Sequence, residues 1–255
     1  MAAEDQSSHS PQVSPSGLDT HLITQECEKL YLTVEDLGGA GDCLPLDLKR
    51  AVEYEKLVGA PKFKDAQDVR NRVTDYALEL LRDFDGNQGR LSVLFPNIVH
   101  PYLDDEMDER ARGEVVEAIK SWCKDARTAR RHVGVTFVRV FGDLVAANVE
   151  IGRVATFSNG DKEVRWEKMP FDGSYGHHLD EEFGWSGRNA SEVVGEGKRL
   201  LRVAYVAYQR TAEQIAGGAA KSVGHYLLVR DLQSECHHVT RTGLTNVGPA
   251  QDGFY

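Results

Sequence analysis

The chain has no run of about 18 apolar residues, the least that a membrane-crossing helix needs, so no spanning segment is expected. It also lacks basic charge: 30 Lys and Arg stand against 40 Asp and Glu, a net charge of −10, which argues against a general nucleic-acid binder. One short basic run, Lys124 to Arg131, interrupts this balance and reads as a solvated helix face. The opening residues, MAAEDQSSHSPQVSPSG, hold no basic stretch followed by an apolar one, so no secretory signal is expected. Cysteine is scarce. Cys27, Cys43, Cys123 and Cys236 have no C-x-x-C spacing, which speaks against a disulfide frame. Free thiols in a reducing compartment, cytoplasm or nucleus, are the expectation. No internal repeat is present.

What is there divides by composition. Residues 1–20, rich in Ser, Pro and acidic groups, read as a disordered tail. Residues 21–131 read as a mainly helical region. Val69, Val73, Ala77, Leu80 and Leu81 recur at helical spacing, as do Val115, Val116, Ile119 and Trp122. From 132 the pattern turns to strands. HVGVTFVRVF alternates with period two, Leu144 to Phe157 is rich in Val, Ile and Ala, and Asn159-Gly160 suits a type I′ hairpin turn. Glu163 to Met169 reads as the returning strand, and 198–208 and 224–229 as two more. A helical reading of 132–157, similar to the BH1 segment of Bcl-2-like proteins, is set aside because 158–183 is too polar for the buried helix that fold needs.

Two acidic stretches invite a metal reading and are better explained as helix ends. Asp83 to Gly89 starts like a calcium-binding EF-hand loop, but Gln88 and Leu94 stand where that loop needs Gly and Glu. The acidic run Asp104 to Glu109 fits a helix N-terminus, where carboxylates meet the positive end of the dipole.

The remaining candidate is His178-Leu179-Asp180. Two residues one apart on a strand share a face, and a distant histidine, His237 or His238, could complete a two-histidine, one-carboxylate set, the usual face for non-haem iron(II). The stretch 162–242 resembles the prolyl-hydroxylase type of Fe(II)/2-oxoglutarate dioxygenases. The resemblance rests on Glu163-Val164-Arg165-Trp166, Gly173 to Asp180, the strand from Arg199, the Gly217-Gly218 pair, the strand Gly224-His225-Tyr226-Leu227-Leu228-Val229, and His237-His238-Val239-Thr240, in the family's order.

That resemblance implies an α+β protein, with the helical region packed on a C-terminal double-stranded β-helix, or jelly-roll, catalytic core over 132–255. It implies an oxygenase that hydroxylates an unknown substrate, either a protein side chain such as prolyl or a small molecule. Fe(II) would be held by His178, Asp180 and His237, with 2-oxoglutarate as cosubstrate and ascorbate as accessory reductant. Tyr175 and Tyr205 would line the cosubstrate pocket. The basic residue expected beyond the distal histidine is missing from 242–255, which leaves Arg241, Arg199 or Arg202 to pair with the oxoacid. A second reading stays open: a non-catalytic β-sandwich interaction protein, or an inactive member of the oxygenase family.

Overall fold

The computed structural model describes residues 17–39, 41–99, 108–169, 200–209 and 222–231. Five strands form one open sheet in the order β1-β5-β4-β2-β3. They are β1 (Leu32–Glu35), β2 (Asn148–Thr156), β3 (Lys162–Met169), β4 (Leu200–Gln209) and β5 (Ser222–Asp231). The pair β2 and β4 is parallel and every other pair is antiparallel. A jelly-roll core or a β-sandwich needs two facing sheets. The expectation of a double-stranded β-helix, and its β-sandwich alternative, are therefore both corrected: the described strands make a single layer, and helices cover its two faces.

Period-two alternation divides the sheet between two cores. Leu201, Val203, Tyr226 and Leu228 face the larger core, with α2 (Cys43–Tyr54), α3 (Ala66–Arg82), α4 (Phe84–Leu94), α5 (Pro96–Val99) and α6 (Glu109–Arg127) contributing from the helical side. Ala204, Val206, Leu227 and Val229 face a smaller core, which Ile23 and Cys27 of α1 (Gly17–Lys29) close.

The long helices start where their capping residues allow. The Asp65 carboxylate accepts the Asp68 N–H at 2.8 Å, and Asp108 accepts that of Ala111 at 2.7 Å. The helix start expected in the acidic run is thus found at Asp108, while 104–107 lie outside the described residues. Asp83 ends α3 and accepts the Gly86 N–H at the head of α4, consistent with a helix boundary and not a calcium loop.

The strands expected at 163–169, 198–208 and 224–229 form as β3, β4 and β5. The strand expected at 132–141 does not. Val135–Val145 is a helix, α7, that buries Phe137, Val138, Val140, Phe141 and Val145. Val133, Val135, Phe137 and Phe141 suit a period of two while Phe137, Val138, Phe141 and Val145 suit one of 3.6, so periodicity alone chooses wrongly here. The hairpin after β2 also differs from the expected two-residue turn. Phe157 N–H donates to Asp161 and Gly160 N–H to Phe157, leaving a three-residue loop with Gly160 at φ +88°.

Candidate functional site

Most of the expected iron site falls on parts of the chain that are not described. His178, Asp180, His237, His238, Tyr175, Arg199 and Arg241 all lie outside the described residues. Tyr205 is described. Its ring lies edge-on to Tyr226 with centroids 5.1 Å apart, against the Cα of Gly224, with the Arg153 guanidinium 5.6 Å away. Arg202, another candidate for the oxoacid, instead pairs with Glu150 across β4 and β2 at 3.1 Å. Among the described residues no three His, Cys, Asp or Glu side chains gather as a metal group.

The chemistry-bearing residues that do come together lie at the open edge of the sheet. Strand β1 ends at Glu35, paired with Leu228, so among the described residues no strand pairs with β5 from Leu227 back to Ser222 on that side. The chain leaves β1 through Asp36, turns on Gly38, Gly39 and Gly41, and enters α2 at Cys43. Gly41, at φ +85°, admits no side chain: a Cβ there would lie 1.8 Å from the Arg130 carbonyl oxygen. The Gly39 carbonyl accepts the N–H groups of both Asp42 and Cys43 at 3.0 Å.

This turn sets three groups around His225 and Tyr226. Asp36 Oδ1 lies 2.8 Å from His225 Nε2 and also accepts the Gly38 N–H at 2.8 Å, so the carboxylate is held in place. Cys43 is the first residue of α2 and only 2% exposed. Burial pushes its thiol up. The backbone N–H of Tyr226 opposes this, Asp47 adds to it, and the N–H groups of Leu44 and Cys43 again favour the thiolate. The sulfur therefore meets β5 at the residue next to His225.

One turn further along α2, Asp47 is fully buried and neither carboxylate oxygen has a hydrogen-bond partner. Burial raises its pKa to about 9, with the charges of Asp36 and Glu35 adding to the effect. Asp47 is thus a neutral acid at pH 7, on the same helix face as Cys43.

Residue types that can serve as nucleophile, base and orienting group thus lie along this turn and the strand beside it, Cys43 reaching β5 at Tyr226 and Asp36 reaching it at His225. The signal for Cys43 was present in the sequence: a glycine-rich turn and an Asp directly before a Cys that opens an amphipathic helix. His225 was visible only as part of a strand. Nothing local links it to Asp36, which meets it beyond the pairing of β1 with β5, or to Cys43, which reaches β5 at Tyr226.

No family model matches the chain, and no curated protein matches it. Among solved structures, the OTU domain of OTUD1 superposes with a TM-score of 0.43 at 10% identity, over 84% of this chain and 95% of that one. An OTU deubiquitinase from Wolbachia pipientis wMel, solved bound to ubiquitin, superposes with a TM-score of 0.43 at 12% identity, over 80% of this chain and 98% of its own. The resemblance to Fe(II)/2-oxoglutarate oxygenases is corrected accordingly. The described strands form one open sheet, not the two facing sheets of a double-stranded β-helix. The oxygenase activity and its Fe(II), 2-oxoglutarate and ascorbate go with it.

Proposed function

We propose that this protein is a cysteine-nucleophile hydrolase of amide or isopeptide bonds, with Cys43 as nucleophile, His225 as general base and acid, and Asp36 as the group that orients the histidine. The observation that carries this reading is the 2.8 Å Asp36–His225 contact beside the residue whose N–H reaches the Cys43 sulfur. In the reaction, the thiol proton passes to His225 as sulfur bonds to the substrate carbonyl carbon. The tetrahedral intermediate then breaks its C–N bond, and the amine leaves with the proton from His225. Water, deprotonated by His225, cleaves the thioester and regenerates the thiol.

The raised thiol pKa fits activation by a base during the reaction, not a standing thiolate. At 2% exposure, Cys43 must become more accessible before its sulfur can meet a carbonyl. No helix among the described residues is long and apolar enough to cross a membrane. A reducing compartment, cytoplasm or nucleus, would keep such a thiol active.

A protein substrate is the further part of this proposal. Ubiquitin, to which the Wolbachia enzyme is bound, supplies the first probe. Purified protein is assayed with ubiquitin bearing a fluorogenic C-terminal amide and with a short peptidyl amide. Cys43→Ala should lower turnover by about 10³-fold or more, and His225→Ala by about 10²-fold or more. An electrophilic probe should add its mass at Cys43. Turnover that survives Cys43→Ala would refute the hydrolase assignment.

A further inference from the structure

Asp42 carries a side chain suited to capping α2 and stands at its N-cap position, yet it makes no side-chain cap, and its backbone, at φ −105° and ψ 5°, lacks the extended form of a capping residue. Arg70 holds its carboxylate elsewhere. This arginine of α3 is fully buried, and its guanidinium places four N–H groups. Nε donates to Asp42 Oδ1 at 2.8 Å, Nη1 to the Ala126 carbonyl at 2.8 Å, and Nη2 to the carbonyls of Gly41 at 2.7 Å and Arg131 at 2.6 Å. The Arg130 N–H adds a bond to the same Asp42 oxygen at 3.1 Å. The carboxylate is therefore turned away from the helix it precedes.

The consequence falls on few donors. The Cys43 N–H already bonds to Gly39, and Pro45 has no N–H. An Asp42 cap could therefore take only the Leu44 N–H, a group that acts on the Cys43 sulfur.

We propose that Arg70 is a positioning residue for Cys43: by holding the Asp42 carboxylate and the Gly41 carbonyl, it keeps the N-terminus of α2 available to the sulfur. The inference rests on Cys43 as the reactive group of the proposed hydrolase, but it concerns the thiol alone and is tested without substrate. Released from Arg70, Asp42 would turn to the extended backbone of a capping residue, take the Leu44 N–H and set a negative charge beside the sulfur. Both effects suppress the thiolate.

The test is the rate of Cys43 alkylation by iodoacetamide against pH, read residue by residue by mass spectrometry on the full chain. Arg70→Met should slow alkylation at pH 7.5 about tenfold and move its pH profile up by about one unit. Adding Asp42→Ala to Arg70→Met should restore the parent profile to within about threefold, which loss of packing alone would not do.

Arg70→Met strands three carbonyl groups and can fail to fold, so a second pair leaves Arg70 in place. Asp42→Ser provides a capping hydroxyl that a guanidinium holds weakly, and Asp42→Ala provides none. The serine variant should react about fivefold more slowly than the alanine variant. Equal rates in that pair, or no recovery in the double variant, would overturn the proposal. If Cys43→Ala leaves turnover intact, the hydrolase reading falls alone, because the alkylation series does not depend on it.

Discussion

Asp47 shows how one residue can work against the fold that holds it. A carboxyl buried without a partner keeps its proton, here up to about pH 9. In the unfolded chain the same group ionises near the ordinary value of about 3.9. Between those two points the folded state carries the extra proton, so stability falls as pH rises, by at most about 1.4 kcal/mol per pH unit. Asp47→Asn removes that slope. The variant should be more stable than the parent by about 2 kcal/mol or more at pH 8, with the gap narrowing toward pH 4. Urea midpoints at pH 5 and pH 8 check this, and a gap independent of pH would contradict it. An acid this costly, one turn from Cys43, follows the general pattern that strained groups collect at functional sites.

At the scale of elements, α7 is held by one polar cluster within an apolar surround. Arg90 donates to both oxygens of Asp143, at 2.6 and 2.9 Å, and the Tyr76 hydroxyl donates to the same carboxylate at 2.9 Å. Three helices, α3, α4 and α7, therefore meet at a carboxylate whose side chain is 4% exposed. Asp143→Ala should cost about 2 to 3 kcal/mol and Tyr76→Phe about 1 kcal/mol, since only the first change removes the charged partner. Chemical denaturation of both variants checks the ratio.

This cluster also bears on how far α7 was legible. The residues of 135–145 spell a strand by period two, and β-branched Val at four positions supports that reading. What selects the helix is a site for an apolar cylinder between α3, α4 and the sheet, with Phe141 5.5 Å from Phe63. By contrast, α3 and α6 each carry a polar face and an apolar stripe, so one period explains each of them and sequence reading places them well.

For the whole molecule, the parallel contact of β2 and β4 is the joint between distant parts of the chain. It lies at the interior of the sheet and carries the Glu150–Arg202 pair, with side chains 5% and 13% exposed. Glu150→Ala leaves a guanidinium in that setting and should cost about 3 kcal/mol or more. Loss of amide protection in hydrogen exchange should then spread across β2 and β4 together. Protection lost from β2 alone would show that the joint is not cooperative.

The sequence by itself determined the character of the pieces: the two amphipathic helices, the β-rich strands after 148, the acidic surface, and the absence of any run apolar enough to span a membrane. These follow from local periodicity and composition, which depend only on neighbouring residues. Tertiary structure alone decided that the strands lie in one open sheet, that 135–145 is a helix, and that Asp36, Cys43 and His225 share an edge. The first two are settled by what surrounds an apolar segment, which the segment does not encode. The third depends on the register of β1 against β5, a pairing between residues far apart in the chain. That is why a histidine and an aspartate two residues apart drew attention in the sequence, while Asp36 and His225 met only when the sheet was assembled.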